Sequence, residues 1–241
     1  MIIADLRHFA ACALACSTVA ACGTNNADVP PELLDAIKHP NAQGGAQGVL
    51  GDAGDAALAP SYPAGPYGTQ VGTTVQNLCF DGWTNPKASN FDPKAFHRVC
   101  FGDYYDPSGA KTKLLLVESC AVWCVACRGE YGGSGNRLSL SAQLTKRAAQ
   151  GFQVMGTIFQ NSSADPAAPS DAVSWARTYD LAFPFVLDQG HQLGLFSPPT
   201  VAPFNMLVDT RTMKIVLELQ GDEPATLFQA VDDFLAKTAS P

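Results

Sequence analysis

Charge is scarce in this chain: Asp, Glu, Lys and Arg make up 15% of its 241 residues, against about 25% in an ordinary soluble domain. The basic side is the thinner one, with 15 Lys and Arg against 22 Asp and Glu and a formal net charge of −7. A nucleic-acid partner calls for a basic face, so that class of function is disfavoured from the outset. Long apolar runs are missing as well. Beyond the N-terminal segment none approaches the roughly 18 residues of a membrane-spanning helix. There is no internal repeat and no second Cys-x-x-Cys pair, and a structural zinc site would need two more well-spaced Cys or His ligands. Hydrophobic residues stand at 46%, which suits a globular core rather than a disordered chain.

What is present is one Cys-x-x-Cys pair, Cys124 and Cys127, in the stretch Trp123-Cys124-Val125-Ala126-Cys127. Two thiols at this spacing can exchange electrons as one disulfide. The run Lys113-Leu114-Leu115-Leu116-Val117 ahead of the pair reads as a buried strand, and a helix is expected after it. A helix N-terminus offers partial positive charge and unpaired N–H groups, which stabilise a thiolate at Cys124. Only a thiolate attacks a disulfide, so this placement points to a reactive pair.

The first 21 residues carry Arg7 and then small and apolar residues from Phe9 to Ala21, as a secretory signal does. Their end, Val19-Ala20-Ala21-Cys22-Gly23, resembles the lipobox of a bacterial lipoprotein, with Cys22 the residue that would receive lipid. Cys16, after Ala13-Leu14-Ala15, is a poorer rival. The expected division is a lipoprotein signal over 1–21, a flexible Ala-, Gly- and Pro-rich tether over 22–66 and one domain over 67–241. That predicts a place on the periplasmic side of a bacterial cell envelope, held to a membrane, the outer one favoured, by the lipid alone. With Cys12 and Cys16 removed and Cys22 lipidated, five cysteines remain: Cys79, Cys100, Cys120, Cys124 and Cys127. Outside the cytoplasm thiols are oxidised, so an odd number implies one structural bridge, one redox pair and one single thiol. Cys79 and Cys100 make the simplest structural bridge.

Along the domain the pattern predicts a strand over Val71–Phe80 and a further extended piece around His97–Phe101. A strand is expected over Lys113–Glu118, then a helix after the Cys pair and a second over Leu138–Ala149. Next come a strand over Phe152–Phe159, a helix over Ser170–Tyr179 and a short strand over Pro184–Leu187. Phe204–Val208 and Lys214–Leu219 flank Asp209-Thr210-Arg211-Thr212 as a hairpin, and Ala225–Lys237 closes the chain as an amphipathic helix. Alternating strands and helices define an α/β class.

Leu116 to Arg128, with Trp-Cys-x-x-Cys after a buried strand, resembles the active-site strand and helix of the thioredoxin superfamily. The stretch from about 67 to 238 is similar to its exported TlpA-like redoxin branch. The resemblance implies a thioredoxin fold, a central mixed β-sheet flanked by helices with an N-terminal β extension. It implies a thiol-disulfide oxidoreductase acting on protein thiols and disulfides, supplied by an upstream redox donor, with no bound cofactor and no metal. In that family the first cysteine is the exposed nucleophile and the second resolves the mixed disulfide, roles that fall on Cys124 and Cys127. Glu118 takes the position of a buried carboxylate that relays protons to the resolving cysteine. Ala202-Pro203 before Phe204 resembles the cis-proline strand that binds the substrate backbone. Trp123 becomes a platform beside the nucleophile, Arg128 either a support for the thiolate or a solvated residue, and Glu130 a structural residue.

The chain also departs from the family. The proline usual after the second cysteine is absent, and Gly132, Gly133 and Gly135 stand there, so the helix is expected to break after one or two turns. Val125-Ala126 replaces the familiar dipeptides that tune the potential. Cys120 reads as a small buried hydrophobe. Two alternatives stay open: a Sco-like copper chaperone using Cys120, Cys124 and His191, and a redox-inactive binding lipoprotein. A peroxiredoxin would need Thr where Ala121 stands.

Overall fold

The computed structural model describes residues 61–239. Its strands in chain order are β1 (Cys79–Trp83), β2 (His97–Cys100), β3 (Leu114–Ala121), β4 (Phe152–Gln160), β5 (Phe185–Leu187), β6 (Phe204–Asp209) and β7 (Lys214–Gln220). The helices are α1 (Val125–Gly132), α2 (Leu140–Arg147), α3 (Pro169–Thr178) and α4 (Pro224–Lys237). β3 is buried at all of its positions, as expected of a strand covered on both faces, and it sits inside a sheet of order β2-β1-β5-β4-β3-β6-β7. β3, β4 and β5 run parallel; on one side β6 pairs antiparallel with β3 and β7 antiparallel with β6, and on the other β1 pairs antiparallel with β5 and β2 antiparallel with β1.

Strand alternation sorts the core into two layers. Leu114, Leu116 and Cys120 of β3 join Val154 and Ile158 of β4 and Leu207 of β6 in one apolar cluster. Tyr131 of α1, Leu140 of α2, Trp175 of α3 and Val231 of α4 pack into the same cluster, so all four described helices contribute to it. Leu115, Val117, Met155, Met206 and Val208 form the second cluster. Among the described residues no α-helix contributes a buried side chain to it. Val75, Leu78, Phe101 and Leu193, from loops and short 3-10 turns, fill it instead.

The expected mixed α/β sheet with an N-terminal β extension is what the structure shows, the extension being the β1–β2 hairpin carried on β5. The strand expected over Val71–Phe80 is the main correction. Gly72 has φ of +90° and Thr73 closes a turn onto Gln70, so the chain bends where a strand would continue. Residues 72–75 instead hydrogen-bond along Met213 and Ile215, and the regular strand starts only at Cys79. The strand before the Cys pair runs on to Ala121, further than Glu118. Tyr62, within the stretch read as tether, packs on the second cluster and donates its hydroxyl to the Val75 carbonyl at 2.8 Å. The signal, Cys22 and the rest of the tether up to residue 60 lie outside the described residues.

Candidate active site

β3 delivers the chain to the Cys pair through a tightly held turn. The Val122 N–H donates to the Gln160 carbonyl at 2.9 Å, and the Trp123 indole donates to the Gln160 side chain at 2.9 Å. Arg128 reaches back from α1 to the Val122 carbonyl at 2.8 Å. Arg128 therefore anchors the turn, and Trp123 is a half-buried ring braced on the end of β4, edge-on to Phe159.

Cys124 is the N-cap of α1. Its Sγ accepts the Cys127 N–H at 3.0 Å, one of the helix-start donors that has no partner within the helix itself. Cys124 and Cys127 are joined in a disulfide. Cys127 is fully buried on the inner face of the helix, and Cys124 is only 3% exposed. The exposed nucleophile implied by the resemblance is thus largely covered while it is bonded to a buried partner. Its neighbour Val125 stands out at 77% exposure.

Beneath the helix lies a buried polar group. Glu118 is 0% exposed, accepts a hydrogen bond at Oε2 from the Tyr131 hydroxyl, and has no partner at Oε1 among the described residues. Its cross-strand neighbours are Gly156 on β4 and Asn205 on β6. Burial pushes the Glu118 carboxyl well above its ordinary range, and the negative charge of Glu130 adds to the rise against the Tyr131 hydrogen bond.

Glu130 is the second buried carboxylate. It accepts from the Asn205 amide at 3.2 Å and pairs with Arg137 at 3.3 Å, and Arg137 pairs in turn with Asp222 at 2.8 Å. Burial raises the Glu130 carboxyl to about 7, with Arg137 and Asn205 opposing the rise and Asp222 adding to it. The glycines expected to break α1 explain how Arg137 arrives. Gly133 ends the helix at φ of +71°, and a two-way Ser134–Arg137 backbone pair folds the chain back. A Cβ at Gly133 would lie 2.8 Å from the Arg137 carbonyl. Ser139 then caps α2.

Pro203 follows a cis Ala202–Pro203 bond and leads straight into β6. Ala202 packs, half-buried, on the apolar cluster that holds Cys124 and Cys127. Cys79 and Cys100 face each other across β1 and β2 and are bonded. Cys120 is a free, buried thiol, and burial pushes it up. His191 stacks on Phe159, and among the described residues no three His, Cys, Asp or Glu side chains converge as a metal site. The copper reading therefore gains no geometry from Cys120, Cys124 and His191.

Sequence reasoning passed over Tyr131, Gly156, Asn205 and Arg137. The spacing of Cys127, Glu130 and Tyr131 at i, i+3 and i+4 was the available signal, since it puts all three on one side of the helix.

The fold and the pair define the class: this is a thioredoxin-fold chain with an oxidised Cys-x-x-Cys at a helix N-terminus. A Chlorobium tepidum structure described as a thiol:disulfide interchange protein DsbE is similar at TM-score 0.51 and 19% identity, covering 70% of this chain and 99% of its own. A Sinorhizobium meliloti hypothetical protein is similar at TM-score 0.49 and 17% identity over 70% and 85% of the two chains. A DsbF homologue from Corynebacterium diphtheriae is similar at 0.48 and 17% over 67% and 86%. No family model matches the chain. No curated protein matches it either. At 19% identity the Chlorobium likeness establishes the fold, and the chemistry is read from the residues.

Proposed function

We propose that this chain is a thiol-disulfide oxidoreductase that exchanges electrons with protein thiols and disulfides through Cys124 and Cys127. One observation carries the reading: the Cys124 sulfur sits at the N-cap of α1 and accepts the Cys127 N–H. That hydrogen bond and the helix field both favour a thiolate at Cys124 once the pair is reduced.

In the reducing direction the Cys124 thiolate attacks a substrate disulfide, forming a mixed disulfide and releasing one substrate thiolate. Cys127 gives up its proton, attacks the Cys124 sulfur and closes the Cys124–Cys127 bond, and the second substrate thiolate leaves. Two electrons pass to the substrate and an upstream dithiol restores the pair. Glu118 is the acceptor for the Cys127 proton. Trp123, Ala202 and Pro203 form the substrate face. The oxidising direction is the reverse of these steps.

A cell-envelope location accords with the bonded Cys79–Cys100 pair, since such bridges persist in oxidising compartments. Attachment through lipid at Cys22 belongs to the same reading, as does the division at residues 21 and 66. The test is turnover of an interchain protein disulfide by the purified domain. Cys124→Ser abolishes it, and Cys127→Ser accumulates a mixed disulfide with the substrate. Full turnover by the Cys124→Ser protein would end this reading.

A further inference from the structure

Glu118 is held from one side by a residue that no resemblance supplies. Tyr131 lies one helical turn beyond Cys127 on the inner face of α1, is 1% exposed, and donates its hydroxyl to Glu118 Oε2. Four aromatic side chains, Trp175, Tyr179, Phe183 and Phe185, surround its ring at centroid distances between 5.5 and 6.3 Å. Across the sheet Gly156 is the residue paired with Glu118, and a Cβ there would overlap the Tyr131 hydroxyl. Gly156 is therefore the space into which the hydroxyl fits.

We propose that Tyr131 is the positioning residue of the proton-relay carboxylate: it fixes Glu118 by one oxygen and leaves the other, Oε1, without a partner among the described residues, beneath the helix that carries Cys127. This inference rests on the thiol-disulfide reading above and deepens it. The groups facing Glu118 are Glu130 and Tyr131 on α1, Cys120 on its own strand and Asn205 on β6, with Arg137 and Asp222 behind Glu130. Of these, Tyr131 is the donor to Glu118. Burial pushes its phenol well above 10, so it keeps its proton and can serve as a donor across the working pH range. A donor to the carboxylate holds the Glu118 proton less tightly than burial alone would.

The experiment has two readouts. The first is direct titration of the Glu118 carboxyl by carbon NMR, with Glu118→Gln to assign the signal. Tyr131→Phe keeps the ring and removes the donor, and the Glu118 titration moves to higher pH. A titration that stays in place overturns the proposal. The second is the pH profile of disulfide exchange. Tyr131→Phe shifts the profile in the wild-type background and leaves it unmoved in a Glu118→Gln background. Independent, additive effects on the profile mean that Tyr131 acts on packing alone, and the proposal fails. Should the Tyr131→Phe protein not fold, Gly156→Ala displaces the hydroxyl from the opposite side and is titrated in the same way. A wild-type protein without exchange activity defeats the proposed function, while the NMR titration still decides whether Tyr131 sets the state of Glu118.

Discussion

Tyr131 and Gly156 occupy one space: the hydroxyl of the first fills the position that a side chain on the second would take. The pairing links α1 to β4 directly above Glu118. Gly156→Ala should cost about 1–3 kcal/mol, the usual penalty for overfilling a packed core. Urea denaturation of the oxidised protein measures it. Unchanged stability would show that the helix moves aside at no cost.

Arg137 is the cation beside Glu130. Arg137→Met removes the positive charge that opposes the burial effect, so the Glu130 carboxyl should titrate above about 7. Carbon NMR of the side-chain carboxyl reads this. An unmoved titration would mean that Asn205, rather than Arg137, governs the group.

Stability should fall with rising pH across the neutral range. Glu118 and Glu130 both bind their protons more tightly in the folded protein than in the unfolded chain. For Glu130 that advantage is complete below 4.5 and is lost as pH rises through about 7. Asp106 and Asp232, held low chiefly by hydrogen bonds to Ser108 and Arg147, act at more acid pH. Unfolding free energies across this window should decline, and Glu118→Gln should flatten the decline. A rise between pH 5 and 7 would contradict the assignment.

The Cys79–Cys100 bridge closes a loop with a sequence separation of 21. Replacing both cysteines by Ala should cost about 3 kcal/mol by the loop-closure relation. The measurement is chemical denaturation with Cys124–Cys127 kept oxidised. Exchange activity should persist, because neither cysteine belongs to the proposed redox pair.

Much of this arrangement was legible residue by residue. β4, α3 and α4 fall within a residue of where apolar runs and helical spacing put them, and β3 starts where expected but runs three residues further. Gly132 and Gly133 announced the end of α1, and Pro203 marked the entry to β6. The Val71–Phe80 strand misled because its β-branched residues have strand character, whereas Gly72 turns the backbone and residues 72–75 pair only briefly with Met213 and Ile215. The polar group around Glu118 was only half visible. Its members come from α1, the turn after it, β3 and β6, and the helical spacing that puts Tyr131 on the inner face does not say that its hydroxyl meets Glu118 in the space left by Gly156.

The misread segment has its own consequence for assembly. Residues 72–75 run along the start of β7, the outer strand on one side, while β2 at the other side is four residues long, stapled to β1 and carries exposed His97 and Arg98. Naked outer strands invite neighbouring chains to add on by backbone pairing. Here one border is partly occupied and the other is short and polar, so stacking of copies edge to edge is discouraged. The sheet thereby limits the backbone it offers to any neighbouring chain for accidental growth.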